Sequence, residues 1–438
     1  MTIKEYLSDK KEFFINELEK LVAIPSVRDT AKENAPFGEN CAEILKAVAK
    51  LYRENGFKCD ISDEGGWACA EYGDGEATVG LYSHGDVVPV GDDWTLTKPF
   101  EMLRKDGFLI GRGVSDNKCS VLISLLTAMA IRDLKLPFNG KLIMFTGSNE
   151  ETGMRDLEHF AKNSQIPKFN IITDNDFPVC RGEKSIVRIW AKSPKISDSK
   201  ITDISGGDAF NIILGKVSAT VNGEKITEYG ISKHAAEPDG SKNAALPLFL
   251  RLSENTDSRT AKILNYAARL VSKTDGSTFN ISSNDKNFSD LTCANGMVRF
   301  ENKRILLSFD IRFGPETEMD GVFEKINNTL SANGWEYECD EATKGYILPE
   351  SFPLVKAVLD VWNECTGENG KSVLCGGGTY ARLLPNAVSV GDKISKEPPF
   401  EVPDGHGHAH QPDEFISVDG VFEAAEIIIK MALKASQI

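Results

Sequence analysis

Three short apolar runs, VGLYS, KLIMFTG and FNIIT, are bounded by polar turns and separated by longer segments. Bounded apolar runs of this length are the mark of buried strands. Between the first two lies NKCSVLISLLTAMAIRDLKL, long enough for a helix. Upstream, KEFFINELEKLVAI and CAEILKAVAKLYRENG carry apolar residues at helical spacing. Strand–helix–strand alternation leaves few arrangements. It predicts an α/β fold with a mixed, largely parallel sheet flanked by helices.

The pattern changes after about residue 187. VRIWAKS, KVSATVNGEKITEYGIS and MVRFENKRILLSFDIRF read as antiparallel strands, the last as a hairpin around Glu301-Asn302-Lys303. ALPLFLRLS and AKILNYAARLVS read as helices between them. From about residue 349, PLVKAVLDVWNECTG and GVFEAAEIIIKMALKAS are amphipathic helices that return the chain to the first layer. At roughly 150 residues per domain, 438 residues suit two or three domains. The expected plan is one α/β domain over 1–186 and 349–438, interrupted by a smaller α+β lid over 187–348.

Composition removes several function classes. The net charge of −15, from 50 basic and 65 acidic residues, argues against a phosphate-backbone partner. No apolar run approaches the roughly 20 residues that span a bilayer. The charged, periodic opening MTIKEYLSDKKEFF predicts a helix rather than a signal peptide. Nine scattered cysteines without a C-x-x-C pair suit reduced thiols, and with them a cytoplasmic protein.

In open α/β sheets, ligands bind beyond the carboxyl ends of the strands. VGLYS runs into His84-Gly85-Asp86, KLIMFTG into Glu150-Glu151, and FNIIT into Asp174; GRGVSDNKCS sets Asp116 in a turn before the long helix. Taken singly, each polar turn is better explained by contact with water. The same holds for the six histidines: His159 is expected on a helix surface, and spacing does not choose among His406, His408 and His410. As a set, these groups fit a hydrolytic metal site, because imidazole and carboxylate oxygens suit zinc and related ions. Two ions need a bridging carboxylate, and the bridging water needs a free carboxylate to take its proton. In a turn, Glu151 can bind metal while Glu150 stays unligated as the base.

The motifs SHGDVVP, GRGVSDNK, SNEETG, TDNDFP and HQPDE also carry a resemblance. In order and spacing, they resemble the dinuclear zinc exopeptidase family of carnosinases, aminoacylases and deacylases. DFPVCRGEKSI, GGGTYARLLP and HQPDE are most similar to its bacterial dipeptidase V (Xaa-His dipeptidase) branch. The likeness runs from LVAIPSV to the last helix. It implies that His84 and Asp174 hold one ion, Glu151 and His410 the other, and that Asp116 bridges them. Glu150 is then the general base and acid, and Asp86 orients His84. Glu414, four residues past His410, fits the family pattern and selects that histidine.

The inserted segment carries a second set. SKHAAEPDGSKNAA resembles the family's lid motif, which implies that His234 stabilises the developing oxyanion. In SFDIRF, Asp310 and Arg312 lie two apart on one strand face and read by themselves as a surface ion pair. The resemblance makes Arg312 the clamp for the substrate's terminal carboxylate. It also brings Gly378 and Thr379 to that end of the substrate, and Asn211 to the reacting carbonyl.

Two features depart from the family pattern. Asp-Asp-Lys-Gly is replaced by Asp116-Asn117-Lys118-Cys119, and only 23 positions separate Asn211 from His234. The expected activity is that of a metal-dependent dipeptidase acting on small peptides with a free amino terminus, as a monomer or homodimer. Zinc is the expected ion, with manganese or cobalt as alternatives. An N-acyl-amino-acid deacylase and a non-catalytic ligand-binding protein are the competing readings.

Overall fold

A computed structural model describes residues 1–438, which fall into two compact units. The first comprises Met1–Arg181, Leu348–Val373 and Thr379–Ile438, the second Gly182–Ile347 and Leu374–Gly378.

In the first unit, strands run side by side in the order Lys58–Ser62, Trp67–Gly73, Lys141–Gly147, Ala77–His84, Phe169–Asn175 and Ala387–Gly391. The last four are parallel and the first two antiparallel, so the sheet is mixed around a parallel centre. Alternation along each strand sorts side chains to two faces. Val79, Leu81, Leu142, Met144, Ile171, Val388 and Val390 share one core with six helices: Ile3–Asp9, Lys11–Val22, Glu39–Glu54, Lys118–Asp133, Pro353–Thr366 and Val418–Ala435. Lys118–Asp133 is buried from Lys118 through Ile131, which explains its lack of a polar face.

The other face is aromatic. Phe145 packs against Tyr82, Trp67, Phe160 of the helix Arg155–Asn163, and Tyr380 of the single turn Tyr380–Leu383. Register pairs Ser83 with Thr146 and Tyr82 with Ile172. The parallel strands therefore end at one edge, where His84, the Glu150–Thr152 turn and Asp174 emerge. No helix is long and apolar enough to cross a membrane. All nine cysteines are free thiols.

The second unit is α+β. Its main antiparallel sheet has the order Thr292–Ala294, Arg304–Phe313, Ser185–Lys192 and Glu336–Thr343, with Val298–Glu301 also paired to Arg304–Phe313. Residues from the helices Ala245–Ser253, Ser258–Leu270 and Met319–Ser331 share its core. The hairpin turn is Asn302-Lys303, with φ of 51° and 62°. Positive φ at both central residues gives the twist that two-residue hairpins require.

Asp310 and Arg312 are not at the surface. Both are buried, with Arg312 Nε and Nη2 donating to the two oxygens of Asp310 at 2.7 and 3.2 Å. Arg188, opposite Asp310 in the register, donates from Nε at 3.3 Å. Burial pushes the Asp310 carboxyl up, but Arg312 and Arg188 outweigh it and hold the group below its ordinary value of 3.8. A depressed carboxyl contributes stability above its unfolded pKa and loses it as pH falls through the folded one. Asp310→Asn is therefore expected to cost about 3 kcal/mol near neutrality, the scale for leaving a buried guanidinium unpaired. Below about pH 4 the parent should lose stability more steeply than the variant. Denaturation midpoints across pH check both.

Candidate metal centre

Each turn at the sheet edge is fixed by groups remote in sequence. Ser26 Oγ donates to Gly85 O at 2.6 Å, and Gly85 N to Gly147 O at 2.8 Å, which sets the turn after His84. Asp86 reaches across to the glutamate turn, where one oxygen accepts from Glu150 N at 3.2 Å and the other from Glu151 N at 3.1 Å. Behind that turn, Asp156 Oδ2 accepts from Ser148 N, Asn149 N and the Tyr380 hydroxyl at 2.7, 2.7 and 2.6 Å.

The Asp116 loop hangs on Glu414. Its fully buried carboxylate accepts from Gly113 N, Ser115 N, Asp116 N and Arg112 Nη1 at 2.8–3.1 Å. Next to it, Asp413 accepts from Thr95 N and Oγ1, Leu96 N and His406 Nδ1. His406 is thereby tied to a structural carboxylate. His410 sits in the left-handed region at φ 67°. Such a conformation costs a non-glycine residue of order 1–3 kcal/mol, and it persists where the surroundings demand it.

These supports converge five side chains. His84 Nδ1 lies 3.0 Å from the Asp86 carbonyl, so Nδ1 carries the hydrogen and Nε2 presents its lone pair. Nε2 lies 3.1 Å from Asp116 Oδ1 and 3.6 Å from Asp174 Oδ2. On the other side, His410 Nε2 lies 3.0 Å from Asp116 Oδ2 and 3.2 Å from Glu151 Oε2. Asp116 thus stands between two imidazoles with one oxygen toward each. Donor atoms of His84, Asp116 and Glu151 lie within 4.8 Å of one another, as do those of His84, Glu150 and Asp174. The second group puts Glu150 within reach of the His84 position as well.

The electrostatics call for a cation. His84 Nε2, Glu150 Oε1 and Glu151 Oε1 are buried without a hydrogen-bond partner. Burial pushes up the carboxyls of Glu150, Glu151 and Asp174, and neighbouring carboxylates add to it; Asp174 reaches about 7. Burial opposes protonation of His84 and His410, but Asp116 and the other carboxylates outweigh it and raise both, His410 to about 11. Lone pairs facing carboxylate oxygens at about 3 Å need a proton or a metal between them. A His and carboxylate donor set without thiolate fits divalent zinc, manganese or cobalt.

Of the remaining expected residues, Asn211 and His234 adjoin in the second unit: Asn211 O accepts from Ala235 N at 2.8 Å, and Ile212 bridges to His234. Ala236 N donates to His234 Nδ1 at 3.3 Å. Arg312 has its Nε–Nη2 edge on Asp310, while Nη1 donates to Gly376 O at 2.9 Å, two residues before Gly378. Thr379 Oγ1 caps the Tyr380 turn by accepting from Ala381 N. His159 is half-buried rather than exposed, and its Nδ1 accepts from Trp67 Nε1. Sequence reasoning missed Asp156, Tyr380 and Arg112, whose partners lie outside any local window.

The sequence profile of Peptidase family M20/M25/M40 matches residues 80–434, and the chain belongs to that family. Among proteins similar to it is "Putative dipeptidase YtjP" of Bacillus subtilis (strain 168), 27% identical over 95% of this chain and 96% of the other. Human carnosine dipeptidase 1 shares the fold with a TM-score of 0.64 and 16% identity, over 100% of this chain and 98% of that one. Bacillus subtilis YXEP, described as a dinuclear metal-binding peptidase, does so at 0.55 and 11%, over 97% and 98%.

Because the site holds protons that a metal would displace, metal affinity should rise with pH. Zinc or manganese added to chelator-stripped protein at 100 times Kd should stabilise the fold by about 2.7 kcal/mol. Thermal melts should show that gain shrinking from about pH 8 to 6, where groups such as Asp174 take up protons. Glu151→Ala and Asp174→Ala should each diminish it.

Proposed function

We propose that this chain is a metal-dependent dipeptidase, hydrolysing small dipeptides with a free amino terminus. The observation that carries the reading is the Asp116 carboxylate standing between His84 and His410, with Asp174 and Glu151 beside them and Glu150 adjacent. His84 and Asp174 would hold one divalent ion, His410 and Glu151 a second, and Asp116 both. When bound, such ions polarise the scissile carbonyl and lower the pKa of the attacking water. Zinc suits the donors best, with manganese and cobalt next.

The chain's own groups do the remaining work. Glu150, buried and held through its backbone by Asp86, takes the proton from the attacking water and returns it to the leaving amine. Asp86 keeps the hydrogen of His84 on Nδ1 and its lone pair on Nε2. In the second unit, proposed as the lid, His234 donates to the developing oxyanion while Asn211 orients the carbonyl. Arg312 reads the terminal carboxylate with the Nη hydrogens that Asp310 and Gly376 leave over, assisted by Gly378 and Thr379. The family membership and the dipeptidase names of relatives support this reading.

A paired assay tests it. Protein reloaded with zinc or manganese should release amino acids from free dipeptides and not from their N-acetylated counterparts. Turnover confined to the blocked compounds would instead identify a deacylase. Glu150→Ala is expected to lower kcat by about 10²- to 10⁴-fold while metal content, read by elemental analysis, stays unchanged. Unaltered turnover in that variant removes Glu150 from the mechanism.

A further inference from the structure

Asn117 is completely buried beside the metal centre, and each of its polar atoms is engaged. Oδ1 accepts from His84 N at 3.2 Å. The two hydrogens of Nδ2 are shared among three acceptors, Thr173 O at 2.7 Å, Ser120 Oγ at 3.1 Å and Asp174 Oδ1 at 3.2 Å. The amide orientation is unambiguous, since a backbone N–H needs the oxygen and a backbone carbonyl needs the nitrogen. One side chain therefore ties together the strand ends that carry His84 and Asp174, and it follows Asp116 directly in the chain.

The network that this chain builds here uses a donor, where the family pattern has a carboxylate. A carboxylate there could offer nothing to Thr173 O and would set a second negative charge about 3 Å from Asp174 Oδ1. The amide removes that charge and engages one Asp174 oxygen. The other, Oδ2, is the oxygen that lies 3.6 Å from His84 Nε2.

We infer that Asn117 is a positioning residue that makes Asp174 a one-oxygen ligand, reserving Oδ1 for itself and leaving Oδ2 for the ion shared with His84. The inference rests on the metal reading of the site. Without Asn117, both Asp174 oxygens are free to bind the same ion, or the carboxylate turns away. In either case the environment of that ion changes while the Glu151–His410 position keeps its own supports, Asp86 and Glu414.

Cobalt(II) is the probe, because its visible spectrum reports coordination number and geometry. The full-length chain, stripped with chelator, is titrated with Co²⁺ and both affinities and spectra are recorded. The variants are Asn117→Ala, Asn117→Asp and Ser120→Ala. Asn117→Ala should weaken one of two cobalt affinities by about 10- to 100-fold, the usual scale for losing a group that orients a metal ligand, and should change that ion's visible bands. Ser120→Ala, which touches Asn117 but not Asp174, should leave both signatures as in the parent. If Asn117→Ala does not fold, Asn117→Asp keeps the shape without the donor, and it should also alter the bands. Affinities and spectra equal to the parent in a folded Asn117 variant, whatever its melting temperature, would falsify the assignment. A parent that binds no cobalt overturns the metal reading and this inference with it.

Discussion

Buried carboxylates crowd the edge where the parallel strands end, and the architecture around them depends on how each is satisfied. They divide into two sets. Asp86, Asp156, Asp413 and Glu414 each accept hydrogen bonds from backbone N–H groups of another loop. Hydrogen bonds to charged groups contribute about 1.5–3 kcal/mol each, and these four residues bind the site's loops into a single rim. Glu150 and Glu151, in contrast, keep buried oxygens without a partner, and Asp116 is met only by imidazoles and its neighbours' charges. An isolated buried carboxylate costs too much to persist. A folded chain that leaves one set unsatisfied while fully satisfying the other is prepared for a cation at the first and for rigidity at the second.

Much of this was legible from the residues. Short apolar runs ending in His84, Glu150-Glu151 and Asp174 predicted strands whose carboxyl ends meet, and the register brings them together. Buried strands announce themselves locally, because both faces demand apolar residues. Asp310 and Arg312 show where local reading stops. Period two placed them on one face, but it does not reveal whether a face is covered, and both proved buried. Asp86 shows a related limit. Its proximity to His84 in sequence suggested its service to that ring, and one carboxylate oxygen does lie 3.4 Å from His84 Nδ1, but the same carboxylate also meets Glu150 and Glu151, more than sixty positions away. Asp156 and Tyr380, 224 positions apart, left no trace at all in a sequence window.

His410 illustrates how two kinds of reading complement each other. Three histidines alternate in GHGHAH, and spacing alone did not choose between them. The family pattern chose His410 through Glu414, and the structure supplies a physical reason for the link. Glu414 holds the backbone of Asp116 while His410, four residues earlier, approaches the side chain of the same Asp116. One short segment thus fixes the shared carboxylate from behind and faces it from the front. A histidine elsewhere in the loop would lose that correlation, as His406 does by pairing with Asp413.

The adjacent glutamates of SNEETG present the same logic at the smallest scale. In a strand, neighbouring side chains point to opposite faces, and only one of the two could reach the site. The chain instead makes a single tight turn, Glu150–Thr152, directly after the strand Lys141–Gly147. Asp86 then takes one N–H on each of its oxygens, so both backbone positions are fixed by one carboxylate. From there Glu151 approaches His410, whereas Glu150 falls within reach of His84 and Asp174. Both carboxylates still offer an oxygen within 4.8 Å of a His84 donor atom, and Glu151 helps to push the Glu150 carboxyl up, so the turn gives them different neighbours without parting them. Glu151 thereby meets the imidazole of His410, while Glu150 faces His84 and Asp174.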